Sequence, residues 1–160
     1  PITIKTEGYN DNTGYVYAGT QMNQNWSGGV AINQTGGFLQ LVGSYPFYKN
    51  EEETHKMSFG TRTRFHVNNL WNDNQVTTNI KERLALHNTV NVGSGVSLYQ
   101  IVGANINVPL SQNGHVSIAP TAVLGMDKTF KDKTANCNYK VYGEYYPFDR
   151  NVCVGFSLTF

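Results

Sequence analysis

Apolar and polar residues alternate along most of this chain with period two, the pattern of strands that present one face to each of two environments. Residues 56–67 carry it longest. Met57, Phe59, Thr61, Thr63, Phe65 and Val67 fall on one side, and Lys56, Ser58, Gly60, Arg62, Arg64 and His66 on the other. The end of the chain repeats it, with Val152, Val154, Phe156, Leu158 and Phe160 opposed to Cys153, Gly155, Ser157 and Thr159. Leu39, Leu41, Gly43, Tyr45 and Phe47 make a third apolar row, and Val116, Ile118, Ala122, Leu124 and Met126 a fourth. Turn-forming clusters separate the runs: Asn10-Asp11-Asn12-Thr13-Gly14, Gln34-Thr35-Gly36-Gly37, Asn72-Asp73-Asn74 and Gln112-Asn113-Gly114. The runs predict about ten strands, near residues 2–9, 14–22, 26–33, 37–48, 55–67, 76–88, 95–109, 115–127, 136–147 and 151–160. No helical period competes over a comparable length. The expected fold class is all-β: a single up-and-down antiparallel barrel over residues 1–160, because closure is the fullest way to cover strand edges. Pro120 interrupts the eighth run and predicts a bulge there.

Turn positions suggest partners. With Asp149-Arg150 as a two-residue turn, Tyr145 faces Val154, Gly143 faces Phe156 and Val141 faces Leu158, so apolar residues meet on one face. Cys153 then faces Tyr146 while Cys137 lies at the far end of its strand, out of disulfide reach, and two free thiols are expected. A loop over residues 68–75 puts Arg62 opposite Lys81, with Arg64 and Arg83 close by. A loop centred near Asn91 puts Glu82 opposite Gln100, on the apolar side.

Composition narrows the function. Charged residues are 14% of 160, while Gly numbers 16, Tyr 10 and Phe 8, a mix that suits short strands and polar turns better than helices. The net charge of +1 gives no global field toward nucleic acid. No apolar run approaches the roughly 18 residues of a transmembrane helix. The chain opens with Pro1-Ile2-Thr3-Ile4, and we expect a mature form whose leader has been removed. Cys137 and Cys153 match neither a metal-site spacing nor CxxC, and the sequence has no GxSxG, HExxH or P-loop. His55, His66, His87 and His115 are dispersed, so neither catalysis nor a cofactor is expected.

Periodicity does not say which face points outward. In a soluble, calycin-like barrel the apolar face is inside, and Phe59, Leu84, Leu98 and Leu124 would hold an apolar ligand. In a transmembrane barrel that face meets lipid. The polar face carries groups suited to a lumen: Lys56, Arg62, Arg64, His66, Lys81, Arg83, His87, Lys140 and Glu144. Tyr15, Tyr17, Trp26, Tyr45, Phe47, Tyr48, Trp71, Tyr145, Tyr146 and Phe148 lie near strand ends, where aromatic girdles of membrane barrels sit. The segment Cys153-Val154-Gly155-Phe156-Ser157-Leu158-Thr159-Phe160 resembles the terminal-strand signal of bacterial outer-membrane β-barrel proteins, with Gly155, Leu158 and Phe160 at the matching positions. This resemblance implies an outer-membrane location, both termini at the periplasmic end, contact with the bilayer and lipopolysaccharide, and recognition of the last strand by the barrel-assembly machinery.

The basic set is the sharpest constellation. Arg62, Arg64, Lys81 and Arg83, with Lys56, His66, His87 and Lys140, would line a passive channel for small anionic solutes, since Arg meets carboxylate or phosphate bidentately. In its short loops and Arg-lined interior the chain resembles small porins for acidic oligosaccharides, of the oligogalacturonate-channel type. Three alternatives stay open: a solvated basic face balanced by Glu7, Glu144 and Asp127, a side-chain-filled barrel with a structural or adhesive role, and the soluble binder.

Overall fold

The computed structural model describes residues 1–72, 74–111 and 113–160. Ten strands follow one another: β1 (Ile2–Tyr9), β2 (Gly14–Gln21), β3 (Trp26–Asn33), β4 (Gly37–Lys49), β5 (His55–Asn68), β6 (Thr77–Gly93), β7 (Val96–Pro109), β8 (Ser117–Asp132), β9 (Cys137–Tyr146) and β10 (Asn151–Thr159). Each pairs antiparallel with its chain neighbours, and β1 also pairs with β10, so the sheet closes as an up-and-down barrel. Ile2 and Phe160 seal the seam by exchanging backbone hydrogen bonds of 2.8 and 2.9 Å. Among the described residues there is no helix. The strands lie where the alternation places them, except that β6 and β8 run on to Gly93 and Asp132. Asp73 and Gln112, from two of the turn clusters, lie outside the described residues.

Registers differ from those the turns suggested. The β9–β10 connection is residues 147–150, so Tyr145 faces Val152, Gly143 faces Val154 and Cys153 faces Glu144. On β5 and β6, Arg62 meets Arg83 and Arg64 meets Lys81. The β6–β7 turn is Ser94-Gly95, with φ of 56° and 76°, the all-positive pair that a type I′ hairpin needs. Glu82 therefore faces Ile106, and Gln100 faces Asn88. Pro120 sits in a regular β7–β8 pairing opposite Ala104. No bulge is needed, because β8–β9 pairing begins only at Leu124 and Pro120 lies on a free edge. Register shifts fall instead at Pro46/Tyr48 and at Asn91/Gly93.

The two faces separate by polarity. Outward lie Val16, Val30, Leu39, Leu41, Phe59, Leu84, Leu86, Leu98, Val102, Leu124, Met126 and Val154, with Val102 60% and Val154 62% exposed. Inward lie Glu7, Tyr15, Tyr17, Phe38, Gln40, His66, Thr121, Val123, Tyr142 and Cys153, all buried. Phe59, Leu84, Leu98 and Leu124 are thus on the outer surface. Trp26, Tyr45, Phe47, Tyr48, Trp71, Tyr145 and Phe148 are away from the core. Tyr15 and Tyr17, placed in a girdle by position alone, are core residues, and Tyr146 packs against the interior cluster of Ala85, Ile101 and Val123. Cys137 and Cys153 are free and buried. Cys137 faces Asp132 while Cys153 faces Glu144, so much of β9 separates them.

Candidate functional site: a polarised cavity in the barrel

Tyrosines and glycines of alternate strands shape the interior. Gly155 faces both Glu7 and Tyr142, and the Tyr142 ring lies across it. A Cβ at Gly155 would stand 2.0 Å from Tyr142 Cζ. Gly125 stands in the same relation to Tyr99, with its Cβ position 2.2 Å from Tyr99 Cζ. Each ring thereby carries its hydroxyl to a carboxylate on a strand beyond the glycine. Tyr142 donates to Glu7 Oε1 at 2.8 Å, and Tyr99 donates to Glu144 Oε2 at 2.6 Å. Tyr9 donates to Glu7 Oε2 at 3.0 Å, and Tyr146 to Glu144 Oε1 at 2.8 Å. All four carboxylate oxygens have a hydroxyl donor. Cys153 Sγ adds a 3.5 Å contact to Glu7, and Lys5 Nζ lies 3.6 Å away. Ligand atoms of Glu7, Glu144 and Cys153 lie within 4.8 Å of one another, a spacing a metal ion could use. The tyrosine hydroxyls already meet that oxygen surface.

The facing wall is basic. Arg62, Arg64 and Arg83 project inward from β5 and β6 with His87, around a cavity of about 780 Å³. Arg64 Nε donates to Gln40 Oε1 at 2.7 Å, and Nη2 donates to Tyr15 Oη at 3.3 Å. Its guanidinium lies 4.4 Å from the centre of the Phe38 ring, a cation–π contact. Among the described residues, Arg62 and Arg83 have no hydrogen-bond or ion-pair partner in the protein. They are ladder partners, so two like charges stand directly opposite each other, an arrangement that costs stability unless neutralised.

The cavity reaches the end of the barrel that carries both termini, where Thr3, Thr159, Asn138 and Lys140 line it. Toward the other end, beyond its lining, aromatic side chains pack together. Tyr15 meets Phe38 edge-on at 5.1 Å, and Phe38 meets the His66 ring at 5.0 Å. His66 is buried in this layer with no partner for Nε2.

Of the residues singled out from the sequence, Arg62, Arg64, Arg83, His87 and Lys140 come together on the cavity. Lys56 faces Lys49 and Thr89, and Lys81 faces Arg64 and Asn107, both outside the cavity lining. Gly155 serves the Tyr142–Glu7 contact, while Leu158 and Phe160 lie on the outward row, with Leu158 facing Ile4 and Tyr139. Sequence reasoning missed Lys5, Gln40 and the tyrosine–glutamate contacts. The signal available was the shared inward parity of Tyr9 with Glu7 and of Tyr142 and Tyr146 with Glu144. Comparison with protein-family models, with curated proteins and with solved structures gave no match to this chain.

Proposed function

We propose that this barrel spans the bacterial outer membrane, with its termini at the periplasmic end and its interior closed at rest by side chains. The observation that carries this reading is the inversion of polarity. Large aliphatic and aromatic residues cover the outside, and charged residues, amides and hydroxyls fill the inside. In water such a surface would far exceed the apolar patch a soluble monomer tolerates, whereas a bilayer is its natural solvent. A closed barrel also leaves no unpaired backbone in lipid. Strands of eight residues or more, tilted as in barrels of this size, suit the apolar layer. Trp26, Tyr45 and Phe47 near one end, with Trp71 and Phe148 near the other, would sit at the two interfaces.

A channel for small anions is the second reading, favoured by Arg62 and Arg83, which stand opposite each other and form no ion pair among the described residues. Against it stand the Tyr15, Phe38 and His66 rings, which pack together inside the barrel.

The test has two stages. The unfolded chain is diluted into buffer and into detergent, and its gel mobility is compared before and after boiling. Folding only in detergent, with a boiling-dependent shift, supports the membrane reading, and a compact monomer in plain buffer refutes it. Planar-bilayer recording then separates the two roles. A closed barrel shows no steady conductance until Phe38→Ala removes the ring beneath Arg64, and steady conductance by the unmodified protein supports the channel.

A further inference from the structure

We infer that the cavity is a one-ended binding site for a small oxyanion, a phosphate or a carboxylate, gripped between Arg62 and Arg83. The inference deepens the reading above and rests on it in one respect: the interior must be the polar, water-filled side of the barrel. It does not require conduction.

Two rungs of like charge stand side by side on β5 and β6, Arg62 opposite Arg83 and Arg64 opposite Lys81. Arg64 is accounted for by Gln40, Tyr15 and Phe38. Arg62 and Arg83 have no acceptor among the described residues, although both face a cavity whose far wall carries two glutamates. Those glutamates are held by tyrosine hydroxyls, one on each carboxylate oxygen, and neither forms an ion pair with Arg62 or Arg83 among the described residues. Asp127, the third carboxylate on the lining, likewise forms no ion pair with either arginine among the described residues, so the two guanidiniums face the cavity without an acceptor. Two adjacent forks of N–H donors match the oxygens of a phosphate or carboxylate. The volume of about 780 Å³ is within the range of small-ligand sites. The way in is from the terminal end, past Thr3, Thr159 and Asn138, whose uncharged polar groups suit the body of a hydroxylated ligand.

The experiment uses the full chain folded in detergent, with the boiling-dependent gel shift confirming the fold of every sample. Inorganic phosphate and glucuronate are titrated at constant ionic strength, with chloride as reference, and followed by calorimetry and by the midpoint of thermal unfolding. We expect saturable binding of at least one oxyanion and a rise in the midpoint that chloride does not give. Arg62→Gln and Arg83→Gln should each weaken binding at least about tenfold, the scale of a lost charge-assisted contact. Lys56→Gln, outside the cavity, should leave it within about twofold. Without ligand, Arg62→Gln should raise the unfolding midpoint, because it removes one of two opposed charges. Phosphate binding alone assigns a phosphate group, and glucuronate binding alone assigns a carboxylate. A folded sample that binds neither, binds both no better than chloride, or binds equally after either arginine substitution overturns the inference. A chain that never folds in detergent refutes the membrane reading instead. If Arg62→Gln fails to fold, Arg62→Lys, which keeps the charge and loses the fork, should still weaken binding.

Discussion

The hydroxyl of Tyr142 reaches Glu7 at 2.8 Å across the seam where the last strands of the barrel meet the first, passing over Gly155. The bond ties the two ends of the chain through a buried carboxylate, and it exists only because residue 155 has no side chain. Tyr142→Phe should cost about 1.5–3 kcal/mol, the range for a hydrogen bond to a charged group. Gly155→Ala should cost at least as much, because its Cβ would fall 2.0 Å from the ring and displace the hydroxyl. Urea unfolding of the detergent-folded protein measures both. An unchanged midpoint for either would show that the contact does not hold the seam.

Gly95 closes the β6–β7 hairpin at φ 76°, and a Cβ there would meet the Thr129 carbonyl oxygen at 2.6 Å. Gly95→Ala should therefore destabilise by roughly 1–3 kcal/mol, from left-handed strain plus displacement of the neighbouring strand. The same unfolding assay checks it.

Glu82 is the acidic residue of the outer face of β6, and it accepts hydrogen bonds from Thr61 and Thr63 on β5. In contact with lipid, a carboxylate is tolerable only while those donors remain. Thr61→Val with Thr63→Val should destabilise by about 1–3 kcal/mol, whereas adding Glu82→Leu to that pair should restore most of the loss. Failure of the triple variant to recover would mean that Glu82 serves something besides this triad.

In the turn at residues 50–54, Lys49 donates to Glu53 at 2.8 Å and holds the Glu53 carboxyl below its ordinary pKa. A lowered folded-state value means that the contribution is present above the unfolded pKa and lost as pH falls through the folded one. Both side chains are exposed, so the effect on stability is small. NMR titration should find Glu53 ionising below an ordinary glutamate, and Lys49→Met should return it toward the usual range.

Alternation in the sequence made strand positions and faces legible, but partners were not. Every misplaced partner was off by an even number of residues. Arg62 meets Arg83 where Lys81 was expected, Tyr145 meets Val152 where Val154 was expected, and Glu82 meets Ile106 where Gln100 was expected. A shift by one would turn a whole row to the wrong face, whereas a shift by two keeps every face intact. Hydrophobic pattern therefore sets the parity of a register, and turn geometry sets its value. The Ser94-Gly95 turn was hidden because β6 continues through the polar residues Asn88, Thr89 and Asn91. The basic wall was readable because Arg62, Arg64 and Arg83 alternate cleanly on neighbouring strands. The Tyr99 and Tyr142 hydroxyls that reach Glu144 and Glu7 were not, since those partners lie on other strands across inward glycines, whereas Tyr9 and Tyr146 stand two residues from Glu7 and Glu144 on the same strands.

Contact of the outer face with lipid is the premise of the proposed function, and a single tryptophan there reports it directly. In a chain carrying Trp26→Phe and Trp71→Phe, Leu84→Trp places an indole on the outward row of β6. The protein is folded into vesicles with or without brominated acyl chains, and its emission is recorded. A lipid-facing indole gives a blue-shifted emission that the brominated lipid strongly quenches, and this is the expected result. A folded barrel whose emission is red-shifted and unquenched in those vesicles would contradict it.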